Sequence, residues 1–100
     1  MKLFIDSNYL SPYAMSAFIA LREKSVPFEV ALIDVQGSEH LAAPYAGVST
    51  TLRVPTLSHN QFNLSESSAI CEYLEEIHPT PPIYPANVQD RAKAREIQAW

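Results

Sequence analysis

Val54-Pro55 and Glu66-Ser67 are the residues of this chain whose types and spacing best suit recognition chemistry. An X-Pro bond between a loop and a strand is the favoured place for a cis peptide, which would hold the backbone N–H and C=O of Val54 facing outward. Ser65-Glu66-Ser67 then opens a helix, and a helix start offers unpaired N–H groups and the positive end of the dipole to an anion. A small extended peptide with a carboxylate would satisfy both features. Arg53 lies beside them in sequence and adds a donor.

A second group, Ser11-Pro12-Tyr13, follows the first apolar stretch. Ser11 reads, on spacing alone, as a helix N-cap. Tyr9 and Tyr13 offer phenols, although a tyrosine near a strand end more often packs half-buried. Cys71 reads as an inert thiol beside a core stripe. His40, His59 and His78 show no metal-ligand spacing, and Asp6, Asp34 and the Glu72, Glu75, Glu76 run read as solvated surface.

These groups must be positioned by a single domain's worth of chain. One hundred residues, 47% hydrophobic and 18% charged, bury a core without cross-links. One cysteine makes no disulfide framework, which fits a reducing cytoplasm. The net charge of −4 disfavours a broad nucleic-acid face, and no apolar run is long enough for a membrane span.

Lys2 to Asp6 reads as a first strand. Pro12 opens a helix with Ala14, Ala17, Phe18 and Leu21 on its apolar stripe, widened by Met15 and Ile19, while Ser16, Arg22, Glu23 and Lys24 face water. The helix ends near Ser25. Phe28 to Ile33 is a second strand, so the unit is a right-handed βαβ with parallel strands. Residues 36–52 carry turn punctuation and at most one helical turn over Glu39 to Ala43. Thr56 to His59 and Phe62 to Leu64 flank Asn60-Gln61 as a tight hairpin without the usual glycine. Ile70, Tyr73, Leu74 and Ile77 then share one face of the clearest helix, which His78-Pro79 stops. Thr80 to Pro85 is a stiff linker, and Asp90 caps a last helix carrying Ile97 and Trp100.

This order, βαβ-α-ββα, is that of an α/β thioredoxin-like fold. Arg53-Val54-Pro55-x-Leu57 followed by Leu64-x-Glu66-Ser67-x-Ala69-Ile70-x-x-Tyr73-Leu74 narrows it further. With these motifs the chain resembles the amino-terminal domain of cytosolic glutathione transferases, over its whole length. Arg91-Ala92-x-x-Arg95-x-x-x-x-Trp100 is similar to the start of the family's all-helical second domain. The resemblance divides the chain into a glutathione-binding domain over 1–79, a linker over 80–89 and the first turns of a cut-off helical domain over 90–100.

The resemblance also implies roles. Val54 and Pro55 would pair with the cysteinyl main chain of glutathione, Glu66 would accept from the γ-glutamyl ammonium, and Ser67 would donate to its carboxylate. Ser11 stands where glutaredoxins begin Cys-Pro-Tyr-Cys, both cysteine positions being replaced, so dithiol exchange is excluded and a serine-type, bacterial-style member is implied. Ser7, near the place of the tyrosine in tyrosine-type members, argues against that subtype. A hydrogen bond to a charged group contributes roughly 1.5–3 kcal/mol, so the Ser11 hydroxyl would lower a thiol pKa by about 1–2 units. That raises the thiolate at neutral pH about tenfold to thirtyfold.

Tyr13 and His40 are further candidates. The loop through Ala43-Pro44-Tyr45-Ala46-Gly47 departs from the family's Asn-Pro and glycine pattern where the glycyl end would lie. The expected function is glutathione transfer to small electrophiles by conjugation, isomerisation or peroxide reduction, in a cytoplasmic homodimer, with glutathione as co-substrate and no metal. The competing expectation is a non-catalytic interaction module of the same fold.

Overall fold

A computed structural model describes residues 1–100. Strand β1 (Lys2–Asp6) leads into helix α1 (Pro12–Glu23) and strand β2 (Glu29–Ile33). Two single 3-10 turns, Glu39–Leu41 and Tyr45–Gly47, precede the hairpin of β3 (Thr56–His59) and β4 (Phe62–Ser65). Helices α2 (Ser67–Ile77) and α3 (Val88–Ala99) follow. The sheet order is β2-β1-β3-β4, with β1 and β2 parallel and the other neighbours antiparallel. This is the expected thioredoxin-like arrangement.

Alternation along β1 sets the layers. Leu3 and Ile5 point to the face covered by α1 and α2, where they join Ala14, Ala17, Ala20, Leu21, Leu57, Ile70 and Leu74 in the core. Phe4 points the other way and meets the Tyr45 ring at a centroid distance of 5.3 Å. The alanines of α1 keep its buried face low, so the helix lies close to the sheet. The hairpin turns without glycine because Asn60 and Gln61 both take positive φ, 49° and 70°, the geometry that matches strand twist. No helix is long and apolar enough to cross a membrane.

Several expectations change. Met15 and Ile19 are exposed rather than core, because the cover over the sheet comes from the alanine face. Lys24, expected in water, is buried as the C-cap residue of α1. Its ammonium donates to Glu75 Oε1 at 2.6 Å, His78 O at 2.5 Å and Pro81 O at 2.8 Å, so all three donors are matched. Glu75, expected on a solvated face, is buried too and accepts from Ile83 N at 3.1 Å and Tyr84 N at 3.0 Å. Burial alone would push the Glu75 carboxyl up, but Lys24 and these two N–H groups outweigh it and hold it below its ordinary value.

The segment after α2 is thereby docked on the domain, and Tyr84 enters the core cluster. Asn87, not Asp90, caps α3, accepting from Gln89 N and Asp90 N. Helix α3 is tied back by Tyr84 Oη donating to Gln98 Oε1 at 2.8 Å and by Arg95 donating to Glu72 at 2.6 Å.

Candidate functional site

The Val54–Pro55 peptide bond is cis, as are Ala43–Pro44 and Thr80–Pro81. Val54 precedes the first ladder residue of β3, and neither its N–H nor its C=O has a backbone partner in the chain. Such a half-buried amide pair is complementary to another extended backbone. What holds the loop is a cluster of hydroxyls on the preceding carbonyl. Tyr45 Oη donates to Arg53 O at 2.5 Å, with Ser49 Oγ at 3.3 Å and Thr56 Oγ1 at 3.4 Å around the same oxygen. Ser65 Oγ closes the network at 3.2 Å from both Ser49 and Thr56. Tyr45, Ser49 and Thr56 are all buried, so the network satisfies groups that would otherwise be costly.

Glu66 occupies the N-cap position of α2 with φ 78° and ψ 124°, a backbone state that a residue other than glycine rarely holds. It makes no cap bond, so its carboxylate is not spent on the N–H groups of its own helix. Ser67, the first helical residue, is buried and stands beside the unpaired N–H groups of that terminus.

These residues converge. Tyr13, Arg53, Val54, Pro55, Glu66 and Ser67 line one cleft of about 230 Å³, joined by Thr51. The cleft thus presents a backbone donor and acceptor, one carboxylate, one guanidinium, hydroxyls and a helix N-terminus. Neither Arg53 nor Glu66 is in an ion pair within the chain. An extended zwitterionic peptide is the ligand class that uses all of these groups.

Ser11 sits elsewhere. It is the N-cap of α1, its Oγ accepting from Ala14 N at 3.1 Å, and it lines a neighbouring apolar cavity of about 320 Å³ with Ile5, Asp6, Tyr9, Met15 and Val30. Because the cap bond uses the oxygen as acceptor, the hydroxyl hydrogen remains available for donation. Tyr13, two residues on, reaches the cleft instead. Both Tyr9 and Tyr13 are exposed, 66% and 64%, rather than half-buried packing residues. Helix α1 therefore begins between the two concavities, with Ser11 on one side and Tyr13 on the other.

His40 lies in the first 3-10 turn and lines neither concavity, although its Nδ1 is buried without a hydrogen-bond partner. Cys71 is buried against α1, and desolvation pushes its thiol up, with Glu72 adding to the rise. Asp6 is 7% exposed, not solvated. The sequence reading missed Thr51 and the hydroxyl network. A cluster of Ser and Thr between turn residues is the available signal, since such side chains bond to nearby backbone.

Comparison with known proteins gives the same direction. The family described as "Glutathione S-transferase, N-terminal domain" matches residues 7–82. Human glutathione S-transferase theta-1 is 33% identical over all of this chain and 41% of its own length. A glutathione transferase homologue from Burkholderia, solved with bound glutathione, is 46% identical and superposes with a TM-score of 0.89, covering 99% of this chain and 54% of that one. A bacterial maleyl pyruvate isomerase of the zeta class is 33% identical with a TM-score of 0.90, over 99% and 46%. The chain spans about half, or less, of the length of these relatives. With a thioredoxin-like sheet, a cleft built on Val54-Pro55 and Glu66-Ser67, and a family match over three-quarters of its residues, the chain belongs to the glutathione S-transferase family and carries its N-terminal domain.

Proposed function

We propose that this chain is the glutathione-binding part of a glutathione transferase that turns the glutathione thiol on small electrophiles. The observation carrying this reading is the unpaired backbone N–H and C=O of Val54 in the same cleft as Glu66 and Ser67. The donor set fits glutathione as substrate. Val54 offers a donor and an acceptor to the cysteinyl backbone, Glu66 an acceptor to the γ-glutamyl ammonium, and Ser67 with the α2 N-terminus donors to the γ-glutamyl carboxylate. Arg53 is a second cation for a carboxylate, and Pro55 is one wall of the cleft. Relatives solved with glutathione bound support the same reading.

Ser11 is the proposed thiol-activating residue. Its hydroxyl donates to the sulfur, and the α1 N-terminus adds its positive dipole end. The thiol proton passes to water, the thiolate forms a carbon–sulfur bond, and the leaving group departs with the bonding electrons. Addition to an activated double bond, rotation about the resulting single bond and expulsion of the same thiolate give isomerisation. Attack on a peroxide oxygen breaks the O–O bond, releasing an alkoxide and leaving a glutathione sulfenic acid that a second glutathione converts to disulfide and water. Residues 1–79 act as the glutathione domain, 80–89 as the connection and 90–100 as the start of a helical part. The protein works in the cytoplasm as a homodimer.

The test is calorimetric titration of reduced glutathione into the protein and its Glu66→Ala, Ser11→Ala and Tyr13→Phe variants, with the thiol pKa of bound glutathione read by ultraviolet absorbance. Lost affinity in Glu66→Ala, and retained affinity with a raised thiol pKa in Ser11→Ala, support the reading. A raised pKa in Tyr13→Phe alone transfers the role to the phenol that lines the cleft. No binding by folded protein overturns the transferase reading and leaves a non-catalytic interaction module.

A further inference from the structure

Asp6 ends β1 with a carboxylate that is almost wholly shielded from water and that no cation approaches within ion-pair distance. A buried carboxylate in that situation needs hydrogen-bond donors. It finds them in the loop that follows. Oδ2 accepts from Leu10 N at 2.6 Å, and both oxygens lie 3.3 Å from Ser11 N. The Asp6 carbonyl accepts from Tyr9 N at 3.1 Å, closing a turn in which Tyr9 takes φ 57°. One residue thus gathers the main chain of three successive loop residues.

We propose that Asp6 is a positioning residue for Ser11, fixing the main chain from which the Ser11 hydroxyl is presented. The proposal rests on the thiol-activating role given to Ser11 above. Ser11 is restrained at two points, its N–H by Asp6 and its Oγ by Ala14 N at 3.1 Å. The first bond fixes the main chain and the second the side-chain torsion. Only the second belongs to the helix itself, and it is the ordinary cap bond. Without the Asp6 carboxylate, the Leu10 and Ser11 N–H groups lose their acceptor and the loop relaxes toward water. The hydroxyl then spends less time in the geometry that stabilises a thiolate, while the cleft of Val54, Glu66 and Ser67 is untouched.

Asp6 acts here through geometry and not through its charge. A negative charge near a thiolate would oppose its formation, so the two modes have opposite signs.

The experiment compares Asp6→Ala, Asp6→Asn and Ser11→Ala with the unmodified protein. The glutathione Kd and the thiol pKa of bound glutathione are both measured. Asp6→Ala is expected to raise the bound thiol pKa by about one unit, a tenfold loss of thiolate well below the pKa, with Kd changed less than about threefold. Asp6→Asn keeps a carbonyl oxygen for Leu10 N and is expected to restore the unmodified value. A thiol pKa unchanged in folded Asp6→Ala, while Ser11→Ala raises it, overturns the positioning role alone. A lowered pKa in Asp6→Asn assigns the effect to charge and also overturns it. No rise in Ser11→Ala overturns the activation reading and the Asp6 role together. If Asp6→Ala does not fold, Asp6→Leu, which keeps the volume and lacks the acceptor, is read in its place with the same expected rise in thiol pKa.

Discussion

Glu66 and Ser67 are neighbours to which the proposed function gives opposite tasks, one accepting from an ammonium and the other donating to a carboxylate. Glu66 holds the N-cap position at positive φ without making a cap bond, and Ser67 is the first residue of the helix. Glu66→Ala is expected to weaken glutathione binding tenfold or more, since a charge-assisted bond contributes about 1.5–3 kcal/mol, and calorimetry reads the loss directly. Ser11→Ala is expected to leave the Kd nearly unchanged and to raise the bound thiol pKa by about 1–2 units, read by absorbance. Cys71 is the opposite case. Buried and with its thiol pushed above the ordinary value, it is expected to resist alkylation in the native protein and react promptly once urea unfolds it, as mass spectrometry would follow.

Loops are positioned by elements, and here two buried polar clusters do that. The first holds the loop before β3 on the Arg53 carbonyl. Tyr45→Phe removes the donor at 2.5 Å and the contact to Thr56 Oγ1 at 2.8 Å. It is expected to cost about 1–3 kcal/mol in urea unfolding and to weaken glutathione binding severalfold through Val54, with the bound thiol pKa unchanged.

The second cluster, Lys24 with Glu75, clamps the segment after α2 onto both helices. Glu75→Gln strands the Lys24 charge in the interior and is expected to cost about 3–5 kcal/mol, a large part of a typical domain's stability. The clamp also sets an acid response. Because the folded Glu75 carboxyl titrates below its ordinary value, the unfolded chain binds the proton more readily. The stability from this pair is complete above the ordinary carboxylate value of about 4.3 and is lost as the pH falls through the lower folded value. Urea midpoints measured across that acid range should fall for the unmodified protein and show a shallower fall for Glu75→Gln.

Over the whole molecule, the polar cleft and the apolar cavity flank the start of α1, with Tyr13 lining the first and Ser11 the second. Apolar side chains that do not line the cleft also stay exposed. Met15 and Ile19 on α1 are 57% and 49% exposed, and Ile97 and Trp100 on α3 are 66% and 103% exposed. Residues 1–100 in isolation are expected to self-associate with rising concentration, as sedimentation velocity would detect, and Ile19→Ser with Ile97→Ser should lessen it.

Local chemistry was readable without coordinates. Ser11-Pro12 declares a helix start because proline lacks only an N–H that the first turn does not need, and the structure begins α1 there. Asn60-Gln61 is a two-residue polar break between two alternating strands, and the structure turns the hairpin there with both residues at positive φ. The Val54-Pro55 and Glu66-Ser67 motifs were likewise legible, since backbone exposure and a helix N-terminus depend on a few adjacent residues. Burial of charge was not. Asp6, Lys24 and Glu75 read as solvated because an ionised side chain alone belongs in water, and only tertiary structure brings Lys24 to Glu75 across 51 positions or folds Leu10 and Ser11 back on Asp6. Periodicity misjudged Met15 and Ile19 for the same reason. It identifies which side chains share a helix face, whereas whether that face is covered depends on the neighbours that the fold supplies.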